Sequence, residues 1–152
     1  SLYNLVVNGD GTNLGMLAMI DEYGGTNAAN LAAYYSGMIY LKMNDYQNSI
    51  KYLSEFSSDD MILGSLATGS IGDAFAELNQ YEDAYEYYVK ASKNNNSYTS
   101  PIYLFKAGLI AMKLEKFKKA EGYFSSIKSD YSKSAEAKNI DTYISKARAS
   151  YQ

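Results

Sequence analysis

Asn8-Gly9-Asp10-Gly11-Thr12-Asn13 is the stretch of this sequence whose residue types come nearest to a calcium-binding loop. Such a loop holds Ca2+ through side-chain and carbonyl oxygens, and it needs glycine at its sixth position and a bidentate Glu at its twelfth. Counted from Asn8, those positions are Asn13 and Met19, so the stretch reads as a helix–helix turn that caps the helix after it. Gly9, Gly11 and Gly15 make no dinucleotide fingerprint, because no strand precedes them. Asp59-Asp60 sits at a helix start, where carboxylates favour the helix dipole. No Ser/Lys or paired-carboxylate arrangement stands apart from solvated helix faces. The sequence has no cysteine and no histidine. Their absence removes disulfides, thiolate catalysis, zinc–thiolate sites, the commonest general base and the commonest transition-metal ligand. The expectation is a non-enzyme without cofactor or metal.

The 152 residues suffice for one domain with a real core, and 47% apolar with 20% charged residues is a globular balance. The net charge is −3 and Arg148 is the sole arginine. Nucleic acid, which is held by clustered Lys and Arg, is therefore not an expected partner. Apolar runs are short and broken, so membrane insertion by this stretch is not expected. The chain opens on Ser1 without Met, and Leu2-Tyr3-Asn4-Leu5-Val6-Val7 reads as the end of a helix already under way. A fragment of a longer protein is expected, with any signal or anchor lost upstream.

The elements that position these residues are helices. Pro101 is the only proline, and apolar residues recur at three and four, as in Tyr34, Met38 and Leu41 or Tyr81, Ala84, Tyr85 and Tyr88. The 17 tyrosines favour strands locally, but their spacing is not two. The helices repeat. Gly37-Met38-Ile39-Tyr40, Asn44-Asp45-Tyr46, Ser49 and Tyr52-Leu53 return as Gly72-Asp73-Ala74-Phe75, Asn79-Gln80-Tyr81, Ala84 and Tyr87-Tyr88. They return again as Gly108-Leu109-Ile110-Ala111, Glu115-Lys116-Phe117, Ala120 and Tyr123-Phe124. The glycine lets the second helix of each hairpin approach, and Ser49, Ala84 and Ala120 receive it. Tyr46, Tyr81 and Phe117 plug the hairpin ends, while Tyr52-Leu53 and its equivalents bury against the next hairpin. One hairpin alone cannot cover its apolar face, so the units stack.

These residues resemble the tetratricopeptide repeat, most clearly from Leu31 to Ser125. The large aromatic early in the first helix is replaced by Ala33, Thr68 and Leu104, and the proline that often ends a repeat is missing. The resemblance implies an all-α solenoid of antiparallel helix hairpins wound as a right-handed superhelix. Read in that register, the chain is a partial unit over 1–25, repeats near 27–57, 60–96 and 98–130, and a capping helix over 134–151. Thr26 and Ser134 are the N-caps at its two flanks. Within the partial unit, 13–23 reads as a second helix.

In this family the first helix of each unit lines the inner, concave surface. Carried over residue by residue, the first unit contributes Leu31, Tyr34, Met38, Leu41 and Lys42. The second contributes Leu66, Gly69, Asp73, Ala76 and Glu77, and the third Ile102, Phe105, Leu109, Met112 and Lys113. That surface is apolar at both ends and small and acidic between. Met and aromatic side chains there suit recognition of a peptide or helix, and self-association could cover part of it. Members that grip a C-terminal carboxylate use Lys, Asn and Arg at the positions held here by Tyr34, Met38, Ser70, Ile102 and Lys106. Only Lys106 fits, so that ligand is not expected. The function implied is a non-catalytic scaffold for protein–protein interaction. The Tyr23/Thr26/Ala29 and Tyr131/Ser134/Ala137 joints are similar to those of bacterial envelope members, which implies a tethered, periplasmic domain in envelope or secretion assembly. A recruiting domain of a larger enzyme, a cytoplasmic location and a glycan or small-ligand module are the alternatives.

Overall fold

A computed structural model of the chain describes residues 1–10 and 15–152. Gly11 to Asn13, half of the loop weighed above for calcium, lie outside the described residues. Among those described there are nine α-helices, one 3-10 turn and no strand. They run α1 Leu2–Asn8, α2 Met16–Glu22, α3 Asn27–Lys42, α4 Tyr46–Glu55 and α5 Met61–Glu77. Then follow α6 Tyr81–Ser92, α7 Ser100–Lys113, α8 Phe117–Asp130, the 3-10 turn Ala135–Ala137 and α9 Ile140–Ala149. Each helix packs on its neighbours in sequence: α3 with α4, α5 with α6, α7 with α8, then α9 on α8. No helix is long and apolar enough to cross a membrane, among the described residues.

Local chemistry sets where the helices start and stop. The side chains of Thr26, Asp45 and Asp60 each accept a hydrogen bond from the amide three residues on, at 3.2, 3.2 and 2.8 Å. Pro101 opens α7, where its missing N–H costs nothing. The three hairpin turns end their first helices alike. Asn44, Asn79 and Glu115 all take the left-handed conformation, with φ of 62°, 59° and 59°. The next amide then bonds back to the carbonyl five residues before it, Asp45 to Tyr40, Gln80 to Phe75 and Lys116 to Ala111, at 2.8–2.9 Å. In the first two turns a tyrosine hydroxyl, Tyr46 or Tyr81, donates to the asparagine side chain, at 3.1 and 2.6 Å. Glu115 and Phe117 cannot make that bond.

The glycines do something more specific than admit a helix. A Cβ on Gly37 would overlap Leu53, one on Gly72 would lie 2.8 Å from the Tyr88 ring, and one on Gly108 would overlap the Phe124 ring. In every unit the filler is the residue sixteen places on (37 to 53, 72 to 88, 108 to 124). The expectation that Leu53, Tyr88 and Phe124 serve the next hairpin is thus incomplete. Each closes its own hairpin first, then reaches onward: Leu53 to Ala67 and Ile71, Tyr88 to Tyr103, Phe124 to Ile140 and Ile144.

Two helices differ from their expected spans. Within the segment 13–23 the described residues are helical over Met16–Glu22, after Gly15, which is buried against the Val7 carbonyl where a Cβ would lie 2.6 Å away. The capping helix expected over 134–151 is broken. Ser134 caps only a 3-10 turn, accepting from Ala137 at 3.2 Å, and Asn139 turns left-handed with φ 62°. Asparagine tolerates that conformation, and the break lets Ile140, Ile144 and Ala147 all bury against α8.

Candidate binding groove

Equivalent positions of stacked units form rows, and three helices, α3, α5 and α7, supply the rows of the groove expected from sequence. Leu31 and Leu109 are its exposed apolar residues, at 43% and 41%. Lys42, Glu77 and Lys113 are exposed beside them, and Lys113 Nζ lies 4.3 Å above the Tyr81 ring of the preceding hairpin. Tyr34, Met38, Leu41, Leu66, Asp73, Ile102, Phe105 and Met112 are half-buried.

Several of these hold joints together. Phe105 meets Tyr143 edge-on at 4.9 Å and Phe124 at 5.9 Å, and Met112 packs against the same cluster. Met38 packs on the Leu53, Ala67 and Ile71 cluster, Ile102 on that of Ala84, Tyr88 and Tyr103. Tyr34 lies 5.0 Å from Phe56 and 5.5 Å from Tyr35. Tyr35, absent from the expected rows, is 53% exposed and extends the apolar surface around Leu31.

The centre of the groove holds the main departure. Gly69, expected to face the groove, is buried, and a Cβ there would overlap the Tyr103 ring. Tyr103 stacks on Tyr88 at 6.3 Å with 17° between ring planes, so two phenols lie across α5 over Gly69 and Gly72. Tyr88 donates its hydroxyl to Asp73 Oδ1 at 2.7 Å, and Lys106 Nζ donates to the same oxygen at 2.7 Å. The ammonium also sits 5.7 and 5.8 Å from the two ring centroids. Asp73 and Lys106 side chains are 29% and 37% exposed, so the pair is a modest electrostatic contribution on the groove wall.

Burial raises the pKa values of Tyr88 and Tyr103 far above the ordinary phenol value. The hydrogen bond to Asp73 adds to this at Tyr88, and the Asp73 charge at Tyr103. Burial followed by the hydrogen bond to Tyr85, 2.7 Å between hydroxyls, does the same at Tyr123. These phenols are neutral at physiological pH, and the Tyr88 and Tyr123 hydroxyls are held in hydrogen bonds. Among the described residues no three His, Cys, Asp or Glu side chains gather as a metal site. A polar cavity of about 590 Å3, lined by Gly24, Thr26, Asn30, Glu55, Ser57 and Asp59, lies at the edge between α2, α3 and the α4–α5 loop. There Asn30 clamps Ser57, donating to its carbonyl at 2.7 Å and accepting from its amide at 3.0 Å.

Sequence reasoning missed the Tyr103–Gly69 contact, although a signal existed. Gly69 stands where the other units carry Tyr34 and Phe105, and a ring missing from one helix leaves room for one from another.

Two stretches, residues 31–59 and 69–98, match profiles of the tetratricopeptide repeat. No curated protein matches the sequence. Among solved structures, PcrH in complex with the chaperone binding region of PopB superposes with a TM-score of 0.60 at 17% identity. The match covers 84% of this chain and 98% of that one. The chain is therefore an all-α solenoid of tetratricopeptide-repeat type.

Proposed function

We propose that this chain is a non-catalytic scaffold holding a peptide or helical segment of another protein along the face made by α3, α5 and α7. The observation that carries this is the exposure of Leu31 and Leu109 on α3 and α7, the two ends of that face. Exposed large aliphatic side chains on such a face gain by being covered, at roughly 25 cal/mol per Å2. A protein of the same fold, PcrH, is known in complex with a binding region of another protein, which supports the same use of the fold here.

The test is capture from the native host by the tagged full-length protein, with and without Leu31→Lys and Leu109→Lys. Both sites are exposed, so the doubly substituted chain keeps its helical circular dichroism. The partners captured by the unaltered protein are lost from it. Retention of the same partners at equal yield would remove the groove from the proposal. Phe105 and Met112 are unsuitable for this test, since a charge there breaks the C-terminal cluster.

We further propose bacterial envelope or secretion assembly as the setting, on the periplasmic side of a membrane. The support is the pair of joints at Tyr23/Thr26/Ala29 and Tyr131/Ser134/Ala137 described from sequence. Protease accessibility of the full-length protein in spheroplasts decides it, and protection until lysis would place the domain in the cytoplasm.

A further inference from the structure

The second helices of the hairpins, α4, α6 and α8, present exposed faces of their own, and two of these carry opposite charge at the same height. Units two and three are offset by 36 residues (84 to 120, 88 to 124), so Glu82, Asp83 and Glu86 of α6 correspond to Lys118, Lys119 and Gly122 of α8. All six are exposed. The two helices lie side by side, since Tyr85 and Tyr123 share a hydrogen bond at 2.7 Å and Lys116 Nζ reaches Glu82 at 3.6 Å. Over 81–87 α6 carries three carboxylates and no cation. Over 117–123 α8 carries two lysines, and its one carboxylate, Glu121, is taken by Arg148 at 2.6 Å. The turn before α8 adds Glu115 and Lys116, of opposite sign. Among the described residues Asp83, Glu86, Lys118 and Lys119 enter no ion pair, although Lys118 lies 5.5 Å above the Tyr151 ring.

Gly122 is a separate sign on the same face. It stands exposed in the middle of α8, and a Cβ there would meet nothing within 4 Å. Unlike Gly37, Gly72 and Gly108, it weakens its helix without admitting any group of this chain.

We propose that this face pairs with a second copy of the same chain, about a two-fold axis running parallel to the helices between α6 and α8. An isologous interface needs a surface that complements itself. Here the rotation lays α6 of each copy over α8 of the other with no change of height. Glu82 and Asp83 then face Lys118 and Lys119 of the second copy, and the same contact is made twice. Glu86 faces Gly122 of the second copy, where the missing side chain leaves room for the two helices to approach. The alternative two-fold arrangement, each helix over its own copy, sets acid on acid and base on base and is disfavoured. Exposed charge pairs are individually weak and screened by salt, so the association is weak and salt-sensitive. The face made by α3, α5 and α7 takes no part in it.

Sedimentation velocity of the whole chain over a concentration series tests this. A monomer–dimer equilibrium is expected at roughly 0.01 M ionic strength and is lost at about 1 M, where the screening length falls to about 3 Å. Two reversed chains make the test specific, one with Asp83→Lys and Glu86→Lys, the other with Lys118→Glu and Lys119→Glu. All four positions are exposed, so both chains keep their helical circular dichroism. Each alone is monomeric at low salt, and their equimolar mixture forms a heterodimer because both contacts are again attractive. Gly122→Gln in the unaltered chain weakens the dimer about tenfold. An unaltered chain that stays monomeric at low salt, or a dimer that survives in both reversed chains, would overturn the proposal. Reversed chains that dissociate but fail to associate when mixed would overturn the two-fold pairing of α6 with α8. Undiminished association of Gly122→Gln would overturn the close approach at that residue.

Discussion

The joint between the second and third hairpins and the one that closes the C-terminal end use the same structural position with opposite chemistry. At the first, the residue filling the hairpin glycine is Tyr88, and its hydroxyl must reach Asp73. At the second it is Phe124, surrounded by Ile127, Ile140, Ile144 and Ala147. A hydrocarbon plug asks only for volume. A phenol also asks for an acceptor at one distance and direction, and here the same acceptor binds Lys106 from the next hairpin. The centre is thus oriented by hydrogen bonds along α5, while the end is a plain apolar seal.

Phe124→Ala should have the largest effect, about 3–5 kcal/mol from the lost side chain and the cavity left in a fully buried site. Urea unfolding reads it, and a loss under 1 kcal/mol would mean that α9 is not held by this cluster. Gly69→Ala comes next, at roughly 1–3 kcal/mol, because the Tyr103 ring has to move. Tyr103→Leu in the same chain recovers part of that loss if the ring is the obstacle; no recovery would point to α5 itself.

Tyr88→Phe removes one hydrogen bond to a charged acceptor and costs about 1 kcal/mol at neutral pH. Its sharper signature is in alkali. The Tyr88 phenol ionises far less readily folded than unfolded, so its contribution is complete below pH 10 and declines as pH rises above that value. Stability falls from pH 10 to 12 more steeply in the unaltered protein than in Tyr88→Phe. Parallel curves would contradict a buried, bonded phenol. The smallest effect is a gain. Glu115→Asn relieves a left-handed turn residue in the C-terminal hairpin, by about 0.5 kcal/mol in thermal unfolding.

The hairpins, their glycines and the turn positions were legible because each recurs in sequence with an unmistakable period. Equivalent residues must solve the same packing problem three times, and that redundancy shows in a single chain. What repeated only once was not legible. The break at Asn139 depends on how three isoleucine- and alanine-bearing turns dock on α8, which no local pattern encodes. The Tyr103 ring over Gly69 joins residues of different units, so the repeat register assigned Gly69 to an open surface that another hairpin in fact covers. Among the groove residues, Leu31 and Leu109 lie as exposed as expected. Phe105, Met112 and Ile102 turned further inward because the neighbouring unit offered them aromatic and aliphatic partners.

The spacing of sixteen between glycine and plug also bears on how such a gene can change length. A unit that carries its own plug can be duplicated or dropped whole without leaving a hole, and the first hairpin, Gly37 with Leu53, is of that kind. The second and third are not independent in the same sense, because Gly69 of one is filled by Tyr103 of the other. Separating them would leave the Tyr103 ring without its seat on α5. A library of chains cut and rejoined at the turns, scored for folding, would recover junctions between α4 and α5 more often than between α6 and α7.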